Sequence, residues 1–277
     1  MDKKPKICVI GLGYIGLPTA SLMASKEYNV LGIDTNLEVV KTINQGKIHI
    51  VEPNLSELVK SVVKKGFLKA SNTPEESDVF IIAVPTPFKE NKKPDISYVQ
   101  AAIDSIAPKV KEKNIIIIES TSPIGTTEKM ESYIYEKFPK LKNKIFISYC
   151  PERVLPGNIL FELEQKFYKS FIKGNLHQTN ARTAEMCKLV ENASRDVQIA
   201  FANELSIICD EAKIDTNELI FLANKHPRVN ILQPGTGVGG HCIAVDPWFI
   251  VSDFPDNSIL IKTARELNDY KTKWVIH

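Results

Sequence analysis

The sequence predicts an α/β fold: a doubly wound, mostly parallel sheet followed by an all-helical region with one long helix. Three observations carry this. Short apolar runs at 7–10, 30–33, 79–84, 115–118 and 145–149 alternate with helical stretches such as 99–107, the pattern of a parallel sheet buried on both faces. The first run breaks into a glycine-rich turn, Gly11-Leu12-Gly13-Tyr14-Ile15-Gly16. Residues 181–212 contain neither Gly nor Pro. A chain of 277 residues is long for a single core, and a boundary is expected near residue 175, with a sheet domain over 1–175 and a helical domain over 176–277.

The first unit reads as strand, glycine turn, helix, strand, acid. The helical pattern runs from the turn through Met23, and the second apolar run ends at Asp34, eighteen positions after Gly16. Each part has a task in dinucleotide binding. Gly11 makes the tight turn, and Gly13 lets backbone N–H groups, those of Tyr14 and Ile15 included, approach a pyrophosphate at the helix N-terminus. Gly16 lets helix and strand pack closely, and Asp34 accepts from ribose hydroxyls. An acid there favours NAD over NADP, whose extra phosphate it would repel. The sheet is therefore expected to be Rossmann-like. In such sheets ligands lie beyond the carboxyl ends of the strands, which puts Thr86, Thr121 and Glu152 on the cofactor's side. Each of these residue types also serves as an ordinary helix cap or turn residue.

Apolar positions spaced three and four apart make 181–212 one helix. At ~1.5 Å per residue it would extend roughly 45 Å, longer than a small domain needs, which suits a helix that links domains or packs on a symmetry mate. Lys188 and Asn192, four apart, share a face. They form either a solvated polar pair or a charge stabiliser beside an amide. A further helix is expected over 217–225, stopped by Pro227, and an amphipathic one over 259–269. Between them lies Gly235-Thr-Gly-Val-Gly-Gly-His-Cys-Ile-Ala-Val-Asp246. Its four glycines hold neither helix nor strand well, but they permit close approach of backbone to a bound group. They lead into Cys242, with a carboxylate four residues on. Cys242 is the candidate nucleophile. Cys8, Cys150, Cys187 and Cys209 sit in apolar or helical runs and are expected to be inert. His226 and His241 are read as hydrogen-bonded turn residues rather than acid–base groups, and Trp248 and Phe249 as core or interface.

The charge balance, 35 basic against 33 acidic residues, implies neither a nucleic-acid nor a membrane partner. Five scattered cysteines argue against a disulfide framework and for a cytoplasmic setting. No Cys/His cluster has zinc spacing, so no metal is expected. No apolar run approaches a membrane span.

Together the motifs resemble the UDP-glucose/GDP-mannose dehydrogenase family. The carrying segments are Gly-Leu-Gly-Tyr-Ile-Gly-Leu-Pro (11–18), Val-Pro-Thr-Pro (84–87), Glu-Ser-Thr-Ser-Pro (119–123) and Cys-Pro-Glu-Arg-Val-Leu-Pro-Gly (150–157). Later come Arg-Thr-Ala-Glu-Met-Cys-Lys-Leu-Val-Glu-Asn (182–192), His-Pro-Arg-Val-Asn (226–230) and Gly-Val-Gly-Gly-His-Cys-Ile-Ala-Val-Asp-Pro (237–247). The last two point to the N-acetylmannosamine branch. The resemblance implies NAD-dependent oxidation of a UDP-sugar, UDP-N-acetyl-D-mannosamine first, at C6. The alcohol becomes an aldehyde, a thiol captures it as a thiohemiacetal, a second oxidation gives a thioester, and water releases the acid. By resemblance Cys242 is the nucleophile, Lys188 manages alkoxide charge or proton, and Asn192 fixes its position or an oxyanion. Asp246 and Thr121 hold and activate water, and Glu152 assists proton traffic. Gly11, Gly13, Gly16, Asp34, Thr86 and Thr121 bind cofactor, with Arg228, Asn230 and Gly239 candidates for the substrate. A homodimer through the long helix is also implied.

Two features depart from the family pattern. The family's third, C-terminal nucleotide-binding domain is expected to be absent from this chain. A strand and a Gly-Gly turn that the family carries between the residues matching 162–163 and 168–171 are also missing, and the 140–144 loop is short. Losing a sheet strand is costly, so residues are expected to have been left out of the sequence near Gln165. Ordinary Cα spacing there, near 3.8 Å, would refute that. Two other readings stay open: a single-hydride hydroxyacid-type dehydrogenase, which needs no thiol, and an inactive fragment that binds NAD and dimerises.

Overall fold

The computed structural model describes residues 4–89, 92–150, 179–240 and 242–276. Two compact units divide the chain, one formed by residues 1–86 and 95–185, the other by 87–94 and 186–277.

The first unit is built on a six-stranded, all-parallel sheet of β1 (Ile7–Ile10), β2 (Val30–Ile33), β3 (Leu68–Ser71), β4 (Val79–Ile82), β5 (Ile115–Ile118) and β6 (Phe146–Tyr149), in the order β3-β2-β1-β4-β5-β6. The order reverses between β1 and β4. A crevice therefore opens beyond their carboxyl ends, where Gly11 and Ala83 leave the sheet. Alternate residues supply the two faces. Ile7 and Val9 join one buried cluster with Leu12, Leu17 and Val59. Cys8 and Ile10 join the other with Phe80, Ile103 and Ile134. That double burial explains why β1, β2 and β4 are apolar at every position.

Five helices flank the strands: α1 (Gly16–Ser25), α2 (Leu37–Asn44), α3 (Leu55–Lys64), α4 (Ser97–Ile106) and α5 (Thr126–Lys137). The apolar run at 79–84 outlasts its strand by two residues. Ala83 N–H still reaches the Ile10 carbonyl at 2.8 Å, but Val84 N–H turns to Ser120 Oγ at 3.0 Å. Ser120 in turn donates to the Val84 carbonyl at 2.8 Å, tying the end of β4 to the end of β5. Helices α2, α3 and α5 and strand β3 go beyond the elements that the sequence predicts.

Helix α6 (Ala181–Ala212) has the bounds the Gly/Pro-free run predicted. Its first turns belong to the sheet unit. There the buried Glu185 carboxylate accepts Gly125 N–H at 2.5 Å, Thr127 N–H at 2.8 Å and the Thr127 hydroxyl at 2.7 Å. The acid thus satisfies the open N-terminal donors of α5.

The second unit continues with α7 (Thr216–Ala223), α8 (Asp246–Asp253) and α9 (Ile259–Ile276). Asp215 caps α7 by accepting the N–H groups of Asn217 and Glu218. That helix stops at Ala223, and α9 runs seven residues beyond the predicted 269. Trp248 and Phe249 are buried, and Lys92, from the 87–94 segment, sets its ammonium 3.4 Å from the centre of the Trp248 ring. Among the described residues no helix is long and apolar enough to cross a membrane, and no group of three or more His, Cys, Asp or Glu is placed to hold a metal.

Candidate active site

In the sheet unit the glycine turn lies at the crevice. Gly11 has φ +91°, and a Cβ there would strike the Ala83 carbonyl. At Gly16 a Cβ would collide with the carbonyl oxygen of Gly11. Both glycines are demanded by the fold itself. Gly13 is not: nothing lies within 4 Å of where its Cβ would be. A position that packing leaves open, at the start of a helix with no side-chain cap and no acid in its first turn, suits an approaching anion. Tyr14 is exposed and Ile15 half-buried beside it.

Asp34 closes the other side. One carboxylate oxygen accepts Leu12 N–H at 3.1 Å and the other accepts Asn36 N–H at 2.9 Å. The acid is therefore fixed in orientation against the glycine turn, with lone pairs left for hydroxyl donors. Thr86 and Thr121, both half-buried, follow β4 and β5 on this side of the sheet. These residues fit a dinucleotide with an unphosphorylated ribose. Gly13→Ala is expected to leave the thermal midpoint unchanged or slightly raised, since loss of glycine freedom stabilises by about 0.4–1 kcal/mol where the backbone permits it. The same variant is expected to weaken NAD binding at least about tenfold. Calorimetric titration beside a melting curve checks both.

In the helical unit the cysteine loop runs directly into α8. The Cys242 carbonyl accepts Val245 N–H at 3.0 Å and Asp246 N–H at 2.8 Å, so one helical turn joins the thiol-bearing residue to the carboxylate. Cys242 is exposed, whereas Asp246 is 3% exposed. Asn192 Nδ2 donates to Asp246 Oδ2 at 2.6 Å. Burial pushes the Asp246 carboxyl up to about 6, against the lowering effects of the Asn192 hydrogen bond and the Lys188 charge. Lys188, Asn192 and Asp246 thus form one electrostatic group across α6 and the start of α8. The solvated-pair reading of Lys188 and Asn192 is corrected by this: the amide is spent on a buried acid 54 residues away.

Arg228 and Asn230 are exposed on the loop after α7. That loop is pinned by Asn224, whose side chain donates to the Ile231 carbonyl at 2.9 Å and accepts Ile231 N–H at 2.7 Å. His226 is a turn fixture, with Nδ1 accepting Arg228 N–H at 3.2 Å. Gly239 is exposed, with nothing within 4 Å of a Cβ position, so packing does not demand glycine there. Glu152, His241 and the Gln165 junction lie outside the described residues. Among the other cysteines, burial drives the Cys8 thiol up to about 12, and Cys209 is buried as well. Cys187 corrects the expectation, being exposed on α6: helical periodicity put it in a helix but could not say which side faced solvent. The sequence reading missed Glu185, Asp196, Asn203, Arg265 and Asn268, buried polar residues each with a side-chain partner 58 to 72 positions away. No local signal marks them.

Residues 5–208 match the NAD binding domain of the UDP-glucose/GDP-mannose dehydrogenase family, and residues 182–270 match that family's central domain. The chain is 55% identical to a UDP-N-acetyl-D-mannosamine dehydrogenase of Escherichia coli K12, over 98% of this chain and 70% of that protein. It is 52% identical to an NDP-N-acetyl-D-galactosaminuronic acid dehydrogenase of Ralstonia nicotianae, with the same coverage. Both alignments extend over 295 residues, more than the 277 of this chain, so these relatives carry residues without a counterpart here. A solved UDP-N-acetyl-mannosamine dehydrogenase of Staphylococcus aureus superposes with a TM-score of 0.87 at 45% identity, covering 98% of this chain and 69% of that one. The cofactor of the sheet domain is NAD. With both family domains matched and the glycine turn, Asp34 and the cysteine loop in place, the chain belongs to the UDP-glucose/GDP-mannose dehydrogenase family.

Proposed function

We propose that the chain oxidises the C6 alcohol of a UDP-sugar to the uronic acid through a thioester on Cys242, with UDP-N-acetyl-D-mannosamine as the first substrate to test. The observation that carries this reading is the link of an exposed cysteine, by a single helical turn, to a buried carboxyl poised near 6 and tied to Asn192. When bound, NAD supplies the hydride acceptor for both oxidations. Gly11, Gly13, Gly16 and Asp34 would hold it, with Tyr14, Ile15, Thr86 and Thr121 beside them.

Lys188 takes the proton of the sugar C6 hydroxyl, or holds the charge of the alkoxide formed when that proton goes to solvent, as hydride leaves. The Cys242 thiolate then adds to the aldehyde carbon, which keeps the aldehyde from escaping as its hydrate. Loss of a second hydride from that carbon leaves the acyl group on sulfur. Asp246, ionised above about 6, accepts a proton from the water that attacks the thioester, and the thiolate departs. Asn192 orients Asp246 through its 2.6 Å hydrogen bond. Thr121 and Glu152 keep the water-holding and proton-assisting roles that the family pattern implies, and Arg228, Asn230 and Gly239 the substrate contacts.

We place the protein in the cytoplasm as a homodimer through α6. Val190, Phe201 and Ile208, all exposed, recur at spacings of eleven and seven and so share one stripe of the helix. Lys188 and Asn192, each two positions from Val190, lie on its opposite side. Light scattering on the protein separates dimer from monomer.

The test of the reaction is stoichiometric. The full-length protein, given NAD and limiting UDP-N-acetyl-D-mannosamine, is expected to form two NADH per sugar consumed. One NADH per sugar would mean a single-hydride dehydrogenase, and none would mean a protein that binds NAD without turning this substrate over. A panel including UDP-glucose and UDP-N-acetylglucosamine separates the sugars.

A further inference from the structure

We propose that a buried polar chain formed by Arg265, Asp196, Asn268 and Asn203 fastens the loop from Gly235 to Ile243 and thereby sets where the Cys242 thiol is presented. The inference rests on the reading of Cys242 as the nucleophile. The four residues are positioning residues and touch no reacting atom.

All four side chains are fully buried, Asp196 and Asn203 on α6, Arg265 and Asn268 on α9. Arg265 Nη1 donates to Asp196 Oδ1, and Nη2 donates to Asp269 Oδ1 at 3.1 Å. Asn268 Nδ2 donates to Asp196 twice, to Oδ1 at 2.8 Å and to the carbonyl at 3.0 Å. Its Oδ1 accepts Asn203 Nδ2 at 2.8 Å, and Asn203 Oδ1 accepts the backbone N–H of Gly235 at 2.8 Å. Each amide gives its NH₂ in one direction and its oxygen in the other. With Asn203 committed as donor to Asn268, its oxygen must face Gly235.

Two more contacts tie down the loop. Gly237, at φ +142°, lies so close to α9 that a Cβ would strike Thr272 Oγ1 and come within 3.4 Å of the Asn268 carbonyl. At the far end, Arg265 Nη1 also points at the carbonyl of Ile243, the residue after Cys242, across 3.5 Å. The loop is therefore held at 235, 237 and 243, while Gly239 and Gly240 between these points meet nothing within 4 Å of a Cβ position. Apolar side chains would hold α6 against α9 at least as well as buried charges and amides, which are costly to desolvate. Hydrocarbon cannot accept the Gly235 N–H. The same two helices supply the control: Lys271 Nζ donates to Ser206 Oγ at 2.9 Å, a contact made at no atom of the loop.

The experiment compares Asn203→Ala and Lys271→Met with the unaltered full-length protein. Iodoacetamide alkylation of Cys242 is followed by peptide mass spectrometry, with exposed Cys187 in the same sample as reference, and kcat and KM for NAD are measured alongside. Asn203→Ala is expected to change the Cys242 rate at least about fivefold relative to Cys187. It is also expected to lower kcat at least about tenfold, with KM for NAD within about twofold. Lys271→Met is expected to leave all three within about twofold. The proposal is overturned if folded Asn203→Ala leaves the Cys242 rate unchanged, or if Lys271→Met moves it equally. Should Asn203→Ala not fold, Arg265→Lys decides by the same alkylation criterion, because it keeps a cation against Asp196 and gives up the reach to Ile243. Alkylation reports loop position whether or not Cys242 reacts with sugar. NADH formation that survives Cys242→Ala would therefore count against the thioester reading while leaving this test intact.

Discussion

Cys242→Ala is expected to abolish uronic acid formation, with turnover falling at least about a thousandfold, because the covalent bond that holds the aldehyde for a second oxidation is lost. NAD binding should survive, since the glycine turn and Asp34 belong to the sheet unit. Stability should change little, because an exposed side chain contributes little packing. The informative quantity is residual NADH. A single-hydride enzyme would go on making it at the parent rate. A thioester enzyme leaves at most a slow formation of aldehyde, trapped in the assay by hydroxylamine.

The second large effect falls on Asp246. Removing its carboxylate is expected to slow acid release about 10²–10⁴-fold, the usual span for loss of a general base. The pH dependence has a defined sign. With its folded pKa raised to about 6 by burial, the group is protonated below that value and inactive as a base. Turnover should therefore rise between pH 5 and 7 with an inflection near 6, and Asp246→Asn should lose the inflection. Stability runs the other way. The native state holds this proton more tightly than the unfolded chain, so stability falls as pH rises from about 4 through 6. Above that window the buried charge costs on the order of 3 kcal/mol. Asp246→Asn, which can still accept from Asn192, should consequently melt higher than the parent protein at pH 7.5 while being nearly inactive. Melting curves at pH 4.5 and 7.5 check the crossover.

The parts of this arrangement that could be read from sequence are those whose cause is local. Gly11, Gly13 and Gly16 announce their turn because the spacing itself is the mechanism, and Asp34 follows from the length of one helix and one strand. Helix α6 was bounded correctly because a run without Gly or Pro has nothing to stop it. Long-range pairing leaves no such mark. Glu185, Asp196 and Arg265 look like solvent-facing charges on helices until the partners of Glu185, at 125 and 127, and the 69-position pairing of Asp196 with Arg265 are known. The Asn192–Asp246 bond, across 54 positions, is equally invisible to periodicity. Cys187 fails for the opposite reason: an amphipathic pattern this weak does not fix which helix face is buried.

The account turns on a covalent bond to one sulfur, and that bond can be weighed. Asp246→Asn, slowed at hydrolysis, is mixed with NAD and UDP-N-acetyl-D-mannosamine, quenched in acid and digested for peptide mass spectrometry. The peptide containing Cys242 is expected to carry the acyl group of the sugar nucleotide, in step with two NADH per modified chain. An unmodified Cys242 peptide in a sample that has accumulated that NADH would contradict the account.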